Sequence, residues 1–157
     1  KQGEIFGELA AIDGVSRSAN VTALQRTEVG KMSSVTFREM ITGNPEIALN
    51  VMRVLTNRLR MMTIRLTEHS ILNSRERLYA ELLRMSQPRK GQDDQRSISP
   101  PPVQQDLANR IGCRREVVSR EIAGLRRDGL VENTRGALVL LNPSELNRRI
   151  TAAMSED

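Results

Sequence analysis

The stretch LANRIGCRREVVSREIAGLRRDGLV, residues 107–131, decides how the chain folds. Apolar side chains recur at helical spacing on both sides of one glycine. Leu107, Ala108 and Ile111 share one face of a short helix over 104–111. Val118, Ile122 and Leu125 share one face of a second helix over 115–127. Gly112 supplies the turn, where a tight helix-to-helix connection favours a residue free to take positive φ. Ala108 is small enough to let the two helices cross closely. The pattern is a helix-turn-helix.

The outward face of the second helix holds Arg114, Arg115, Glu116, Ser119 and Arg120 near its N-terminal end, the end that enters the major groove in such motifs. An arginine fork matches the O6 and N7 atoms of guanine, and a carboxylate can accept from cytosine N4. Glu116 and Arg120, spaced i, i+4, can hold each other in place. An ordinary solvated face explains the helix alone equally well; its flank does not. Gly129-Leu130-Val131 leads into a hairpin, with strands over 131–133 and 137–141 and a turn at Arg135-Gly136. That hairpin is a wing, and Thr134 and Arg135 at its tip can touch phosphate.

Moving outward, QPRKGQDDQRSISPPP reads as a loop between domains, with room for a short strand. Before it, Ser74 is the expected cap of a helix over 75–85. Asn44-Pro45-Glu46 is a helix start: a capping side chain, a proline suited to the first turn and a carboxylate for the positive end of the dipole. The helix it opens should reach about Asn73. Leu55, Leu59, Met62, Leu66 and His69 follow four-three spacing along it, which fits a seam between two chains. Packing on its own domain is the alternative, but the residues before it are too few to cover so long a stripe. Residues 1–32 read as short strands and turns, with Ala19, Val21 and Ala23 alternating with Asn20 and Thr22. Ser34 is the expected cap of a short helix ending near Ile41.

The 157 residues carry a formal net charge of +5, which favours a polyanionic partner. Only 2% are aromatic, which leaves no platform for stacking single-stranded bases. A single cysteine allows no intrachain disulfide and fits the cytoplasm, and no apolar run approaches membrane-spanning length. Cys113 is read as a small packed residue; one thiolate cannot hold an iron–sulfur cluster. No Ser/His/Asp set, metal-ligand spacing or phosphate-binding P-loop is visible, so neither catalysis nor a metal is expected. Lys1 in place of a methionine reads as the start of a fragment.

These motifs, in this order, resemble the Crp/Fnr transcription regulators. GEIFGELAAIDGVSRSANVTAL is similar to the phosphate-binding cassette of the family's cyclic-nucleotide β-roll. NPEIALNVMRVLTNRLRMM is similar to the start of its dimerisation helix, and residues 107–131 to its winged helix-turn-helix. The resemblance implies an α+β chain in four parts. Residues 1–42 are the C-terminal part of the roll, 43–73 the long dimerisation helix, 74–102 a hinge helix and linker, and 103–157 the DNA-binding domain. The first 42 or so residues should not close a barrel alone.

The resemblance also implies roles. Gly7, Glu8 and Leu9 match the first part of the cassette, with Glu8 on the ribose 2′-hydroxyl; Arg17 and Ser18 match the pair that holds the cyclic phosphate. Met62 and Thr63 fall where relatives contact the purine, Met62 lacking the hydroxyl of the cAMP-binding archetype. Arg115, Glu116 and Arg120 match the base-reading positions, implying half-sites with a TGA-like core. Two residues depart from the pattern: Glu121 stands where an apolar residue is common, and Gln104 where the archetype has a phosphate-contacting arginine. The implied protein is a homodimeric regulator of double-stranded DNA that responds to a cyclic nucleotide, cAMP first, and works with RNA polymerase. A redox, haem or metabolite sensor of the Fnr type is the alternative effector class. A cyclic-nucleotide module of an enzyme is the alternative function class.

Overall fold

The structure, a computed structural model, describes residues 3–17, 19–23 and 26–155. The chain divides into two units, Lys1–Met61 and Met62–Asp157, the boundary falling within one long helix.

In the first unit, α1 (Glu8–Asp13) is bracketed by Gly7 and Gly14, both at positive φ. Next comes α2 (Ser34–Gly43), and then α3 (Pro45–Ile71) begins. Ser33, not Ser34, caps α2, its hydroxyl accepting from the Thr36 N–H at 3.0 Å. Asn44 caps α3 as expected: its Oδ1 accepts from the N–H groups of Glu46 and Ile47 at 3.1 and 3.2 Å. The short strands expected before Met32 do not form among the described residues. A strand needs a neighbour to take its backbone hydrogen bonds, and the alternation at 19–23 finds none in this unit.

The second unit holds the end of α3, then α4 (Ser74–Met85), β1 (Gln87–Arg89), β2 (Gln92–Ile98), α5 (Gln104–Ile111), α6 (Arg115–Arg127), β3 (Val131–Asn133), β4 (Leu138–Leu140) and α7 (Pro143–Ser155). Asn73, one residue before the expected Ser74, caps α4. Its side chain accepts from Arg75 N–H, and Glu76 accepts in return from Asn73 N–H.

The polar run read as a loop with room for a short strand forms a β-hairpin. β1 and β2 join the wing in one antiparallel sheet of order β1-β2-β4-β3, with Arg96 opposite Leu140 and Ile98 opposite Leu138. Arg96 anchors the hairpin by donating to both the hydroxyl and the carbonyl of buried Ser86, each at 2.7 Å. α7 also goes beyond the sequence reading; Asn142 caps it through the Glu145 N–H at 2.9 Å.

The core is one cluster built by α4, α5, α6, α7 and the sheet. Leu78, Leu82, Leu107, Leu125, Leu140 and Leu146 lie fully inside it. A buried leucine contributes roughly 1.5–3 kcal/mol relative to an exposed one. Layers of this kind therefore hold the helix-turn-helix rigidly.

Candidate nucleic-acid interface and ligand cassette

The helix-turn-helix forms as its pattern dictates. Gly112 ends α5 at φ 65°, and its N–H caps back to the Ala108 carbonyl. Ala108, Val118, Ile122 and Leu125 are all buried at the crossing of α5 and α6. Arg114, Arg115, Glu116, Ser119 and Arg120 are exposed, on one outward face. Arg114, Arg115 and Glu116 make no ion pair with any described residue, so their charges stand ready for a ligand.

The expected Glu116–Arg120 pair does not form. Arg120 Nε lies 3.7 Å from Glu121 Oε1 instead, while Arg75 Nε donates to Glu121 Oε2 at 2.9 Å. A carboxylate already fixed by Arg75 is a better target than the exposed, unanchored Glu116. This also accounts for a glutamate where an apolar residue is common: Glu121 is a charged tie between α4 and α6.

The wing is present as β3 and β4. Thr134 N–H and its hydroxyl both donate to the Ala137 carbonyl, at 2.9 and 3.1 Å. That commits the Thr134 donor to the turn and leaves exposed Arg135 as the cation at the tip. Cys113 packs against the core, where burial pushes its thiol pKa up.

In the first unit, Gly7, Glu8, Leu9 and Arg17 line one cleft of about 290 Å³. Gly7 sits at φ 79°, and a Cβ placed there would lie 2.8 Å from Arg17 Nη1. The glycine thus makes room for the guanidinium as well as for the turn. Glu8 is 5% exposed. Its Oε1 accepts from Arg58 Nη1, and Arg58 also donates to the Ile5 carbonyl. Glu8 Oε2 is buried and has no hydrogen-bond partner among the described residues. Arg58, fifty residues from Glu8, left no local signal in the sequence.

Ser18 lies outside the described residues. Met62 and Thr63 are exposed on α3 in the second unit and do not line this cleft. Along α3, Leu59, Met62 and Leu66 are 66%, 61% and 69% exposed, and His69 is exposed. Leu55 is half-buried. Among the described residues, no group of His, Cys, Asp or Glu could hold a metal ion, and no helix is long and apolar enough to cross a membrane.

The model of the Crp-like helix-turn-helix domain matches residues 76–149. The CRP-like cAMP-activated global transcriptional regulator of Mycobacterium tuberculosis is 27% identical over 144 residues, covering 90% of this chain and 63% of that protein. The chain spans less than two thirds of the curated relatives it matches. Among solved structures, a CooA mutant from Carboxydothermus hydrogenoformans superposes with a TM-score of 0.64 at 17% identity, over 74% of this chain and 54% of that one. The c-di-GMP responsive global regulator CLP of Xanthomonas campestris gives 0.53 at 23%, over 68% and 52%.

Proposed function

We propose that this chain, a member of the Crp/Fnr family of DNA-binding transcription regulators, acts as a homodimer that reads a palindromic site under the control of a cyclic nucleotide. The exposed, unpaired Arg115 and Glu116 at the N-terminal end of α6 carry the reading. Arg115, Glu116 and Arg120 read base edges in a TGA-like half-site, with Arg114 and Ser119 beside them. Arg135 on the wing meets phosphate, held at the tip by the turn that Thr134 closes. Two copies joined along Leu55, Leu59, Met62, Leu66 and His69 set the two reading helices about one helical turn of DNA apart. The partner is RNA polymerase and the compartment is the cytoplasm.

The residues of the cassette fit a cyclic nucleotide. The lone buried oxygen of Glu8 suits a ribose hydroxyl, since an unpaired buried acceptor costs free energy until a donor reaches it. Arg17, seated on Gly7, suits a phosphate, and Ser18 follows it in the sequence as the family resemblance requires. Met62 and Thr63 are the residues that the family resemblance sets against the base. Bound there, the nucleotide supplies the differential contact that biases the seam between two states. The M. tuberculosis relative, named as cAMP-activated, makes cAMP the first effector to try.

A second reading keeps the regulator and changes the effector. Met62 offers no hydroxyl to a purine, Arg58 already holds one oxygen of Glu8, and CLP is named for c-di-GMP.

The test titrates the full-length protein onto a palindrome with TGTGA-type half-sites by fluorescence anisotropy at fixed salt. Cyclic AMP is absent, then saturating, with scrambled DNA as control. Tightening only with cAMP supports the whole reading. Tight specific binding in both conditions favours the second reading. No preference over scrambled DNA rejects the base-reading assignment. Arg115→Ala should weaken specific binding by about 1–3 kcal/mol and relax the preference at one base pair.

A further inference from the structure

We propose that Glu121 is a positioning residue of the DNA-reading face, holding Arg75 of α4 and Arg120 of α6 as a pair and thereby adding Arg75 to the interface as a contact to a backbone phosphate. The inference rests on α6 being the reading helix.

Glu121 is the only acidic side chain on α6 other than Glu116, and its side chain is just 13% exposed. Each of its oxygens faces a different guanidinium: Oε2 takes the Arg75 Nε–H at 2.9 Å, and Oε1 lies 3.7 Å from Arg120 Nε. The side chains of Arg75 and Arg120 are 59% and 73% exposed. Arg75 spends its Nε on Glu121. Its two terminal amino groups make no hydrogen bond to any described residue. A guanidinium pinned at Nε keeps its Nη pair as a fixed fork, the geometry that grips two oxygens of a phosphate.

The surroundings suit an anion. Arg75, Arg120, Arg127 and Arg149 line one cleft of about 290 Å³, opposed there by the carboxylates of Glu121 and Asp128 alone. Arg149 is committed to Glu145 and Asp128, while Arg75 and Arg120 reach outward. Without Glu121 the two guanidiniums would repel each other and splay apart.

The sign of one substitution separates this role from a simple charge effect. Glu121→Gln removes a negative charge beside a polyanion. If charge alone mattered, DNA binding would tighten. A positioning role requires it to weaken, because the fork comes loose. A mere structural tie between α4 and α6 would lower the thermal midpoint and leave the salt dependence of DNA binding alone.

The experiment measures anisotropy of the full-length protein on a random-sequence duplex and on the palindrome, over a series of potassium chloride concentrations. Wild type is compared with Arg75→Gln, Arg75→Lys and Glu121→Gln. Arg75→Gln should reduce the slope of log K against log salt by about 0.9 per chain, on both duplexes alike. Arg75→Lys should restore most of that slope. Glu121→Gln should weaken binding several-fold at fixed salt, with a thermal midpoint close to wild type. The proposal is overturned if Glu121→Gln binds as tightly as wild type or more so, or if Arg75→Gln keeps the wild-type slope. A wild-type protein that binds neither duplex rejects the α6 reading itself, and this inference with it.

Discussion

The imidazole of His69 lies against the α-carbon of Gly112, so close that a Cβ on the glycine would sit 3.2 Å from His69 Cε1. One residue stands in the last turn of the long helix, and the other is the turn of the helix-turn-helix. Gly112 is therefore required twice, by its φ of 65° and by its neighbour. The left-handed region alone costs an L-residue roughly 1–2 kcal/mol. Gly112→Ala should destabilise by about that much plus the cost of moving the ring. His69→Ala in the same chain should remove the second part and keep the first. Urea unfolding of the two single variants and the double variant checks this. Strict additivity would mean that the ring gives way freely.

The exposed stripe of α3 makes its own prediction. Leu59, Met62 and Leu66 leave more than half of each side chain in water, which a helix seam between two copies would cover. Leu66→Glu should then shift the protein from dimer to monomer in sedimentation while α4 to α7 keep their fold. An unchanged sedimentation coefficient would remove the proposed seam.

Among the described residues of the second unit, Glu81 is the most heavily committed carboxylate. It is 2% exposed. It accepts from Arg84 in its own helix and from Arg110 of α5 at 3.2 Å, and it lies 3.5 Å from Arg65 of α3. Burying a charge is tolerated only with such partners, and removing one side of a buried pair costs more than the pair contributes. Glu81→Ala should cost roughly 3 kcal/mol, near the low end for a buried pair. The reason is that Arg84 keeps Glu68, and the half-exposed Arg65 and Arg110 can turn to water. Chemical denaturation measures the loss; a change within error of zero would mean that the network is decorative.

The residues that could be read from sequence are those whose partners are near in the chain. The helix-turn-helix rests on apolar spacing within α5 and α6 and on one glycine turn, and all of it formed. Asn44-Pro45 announced α3. The same signal stands at Asn142-Pro143 before α7, so that helix too is legible from its start. β2 was legible only as room for a short strand: QDDQRS has no apolar alternation, and it is a strand because β4 and Ser86 hold it. The alternation at 19–23 failed for the opposite reason, a strand pattern without a pairing neighbour. The sites divide in the same way. The reading face of α6 is local, whereas Arg58 reaches Glu8 across fifty residues and Arg75 reaches Glu121 across 46.

Glu145 gives the chain a measurable acid dependence. It sits in the first turn of α7, where a negative charge also complements the helix dipole. Arg148 and Arg149 both donate to it, at 2.8–3.0 Å, and they hold its carboxyl down at about 2, against 4.5 for a free glutamate. The folded value is lower than the unfolded one, so the charge stabilises the fold at pH above 4.5. That contribution is lost as pH falls from 4.5 towards 2. The side chain keeps contact with solvent, as do its arginine partners, so the effect is small and screened by salt. Glu145→Gln should lower the thermal midpoint at neutral pH, and the gap to wild type should close across that acid window. Thermal midpoints of both proteins, taken from pH 7 to pH 2 at low salt, measure the gap directly. A gap that stays constant across the window would mean that packing of the side chain, rather than its charge, holds the start of α7.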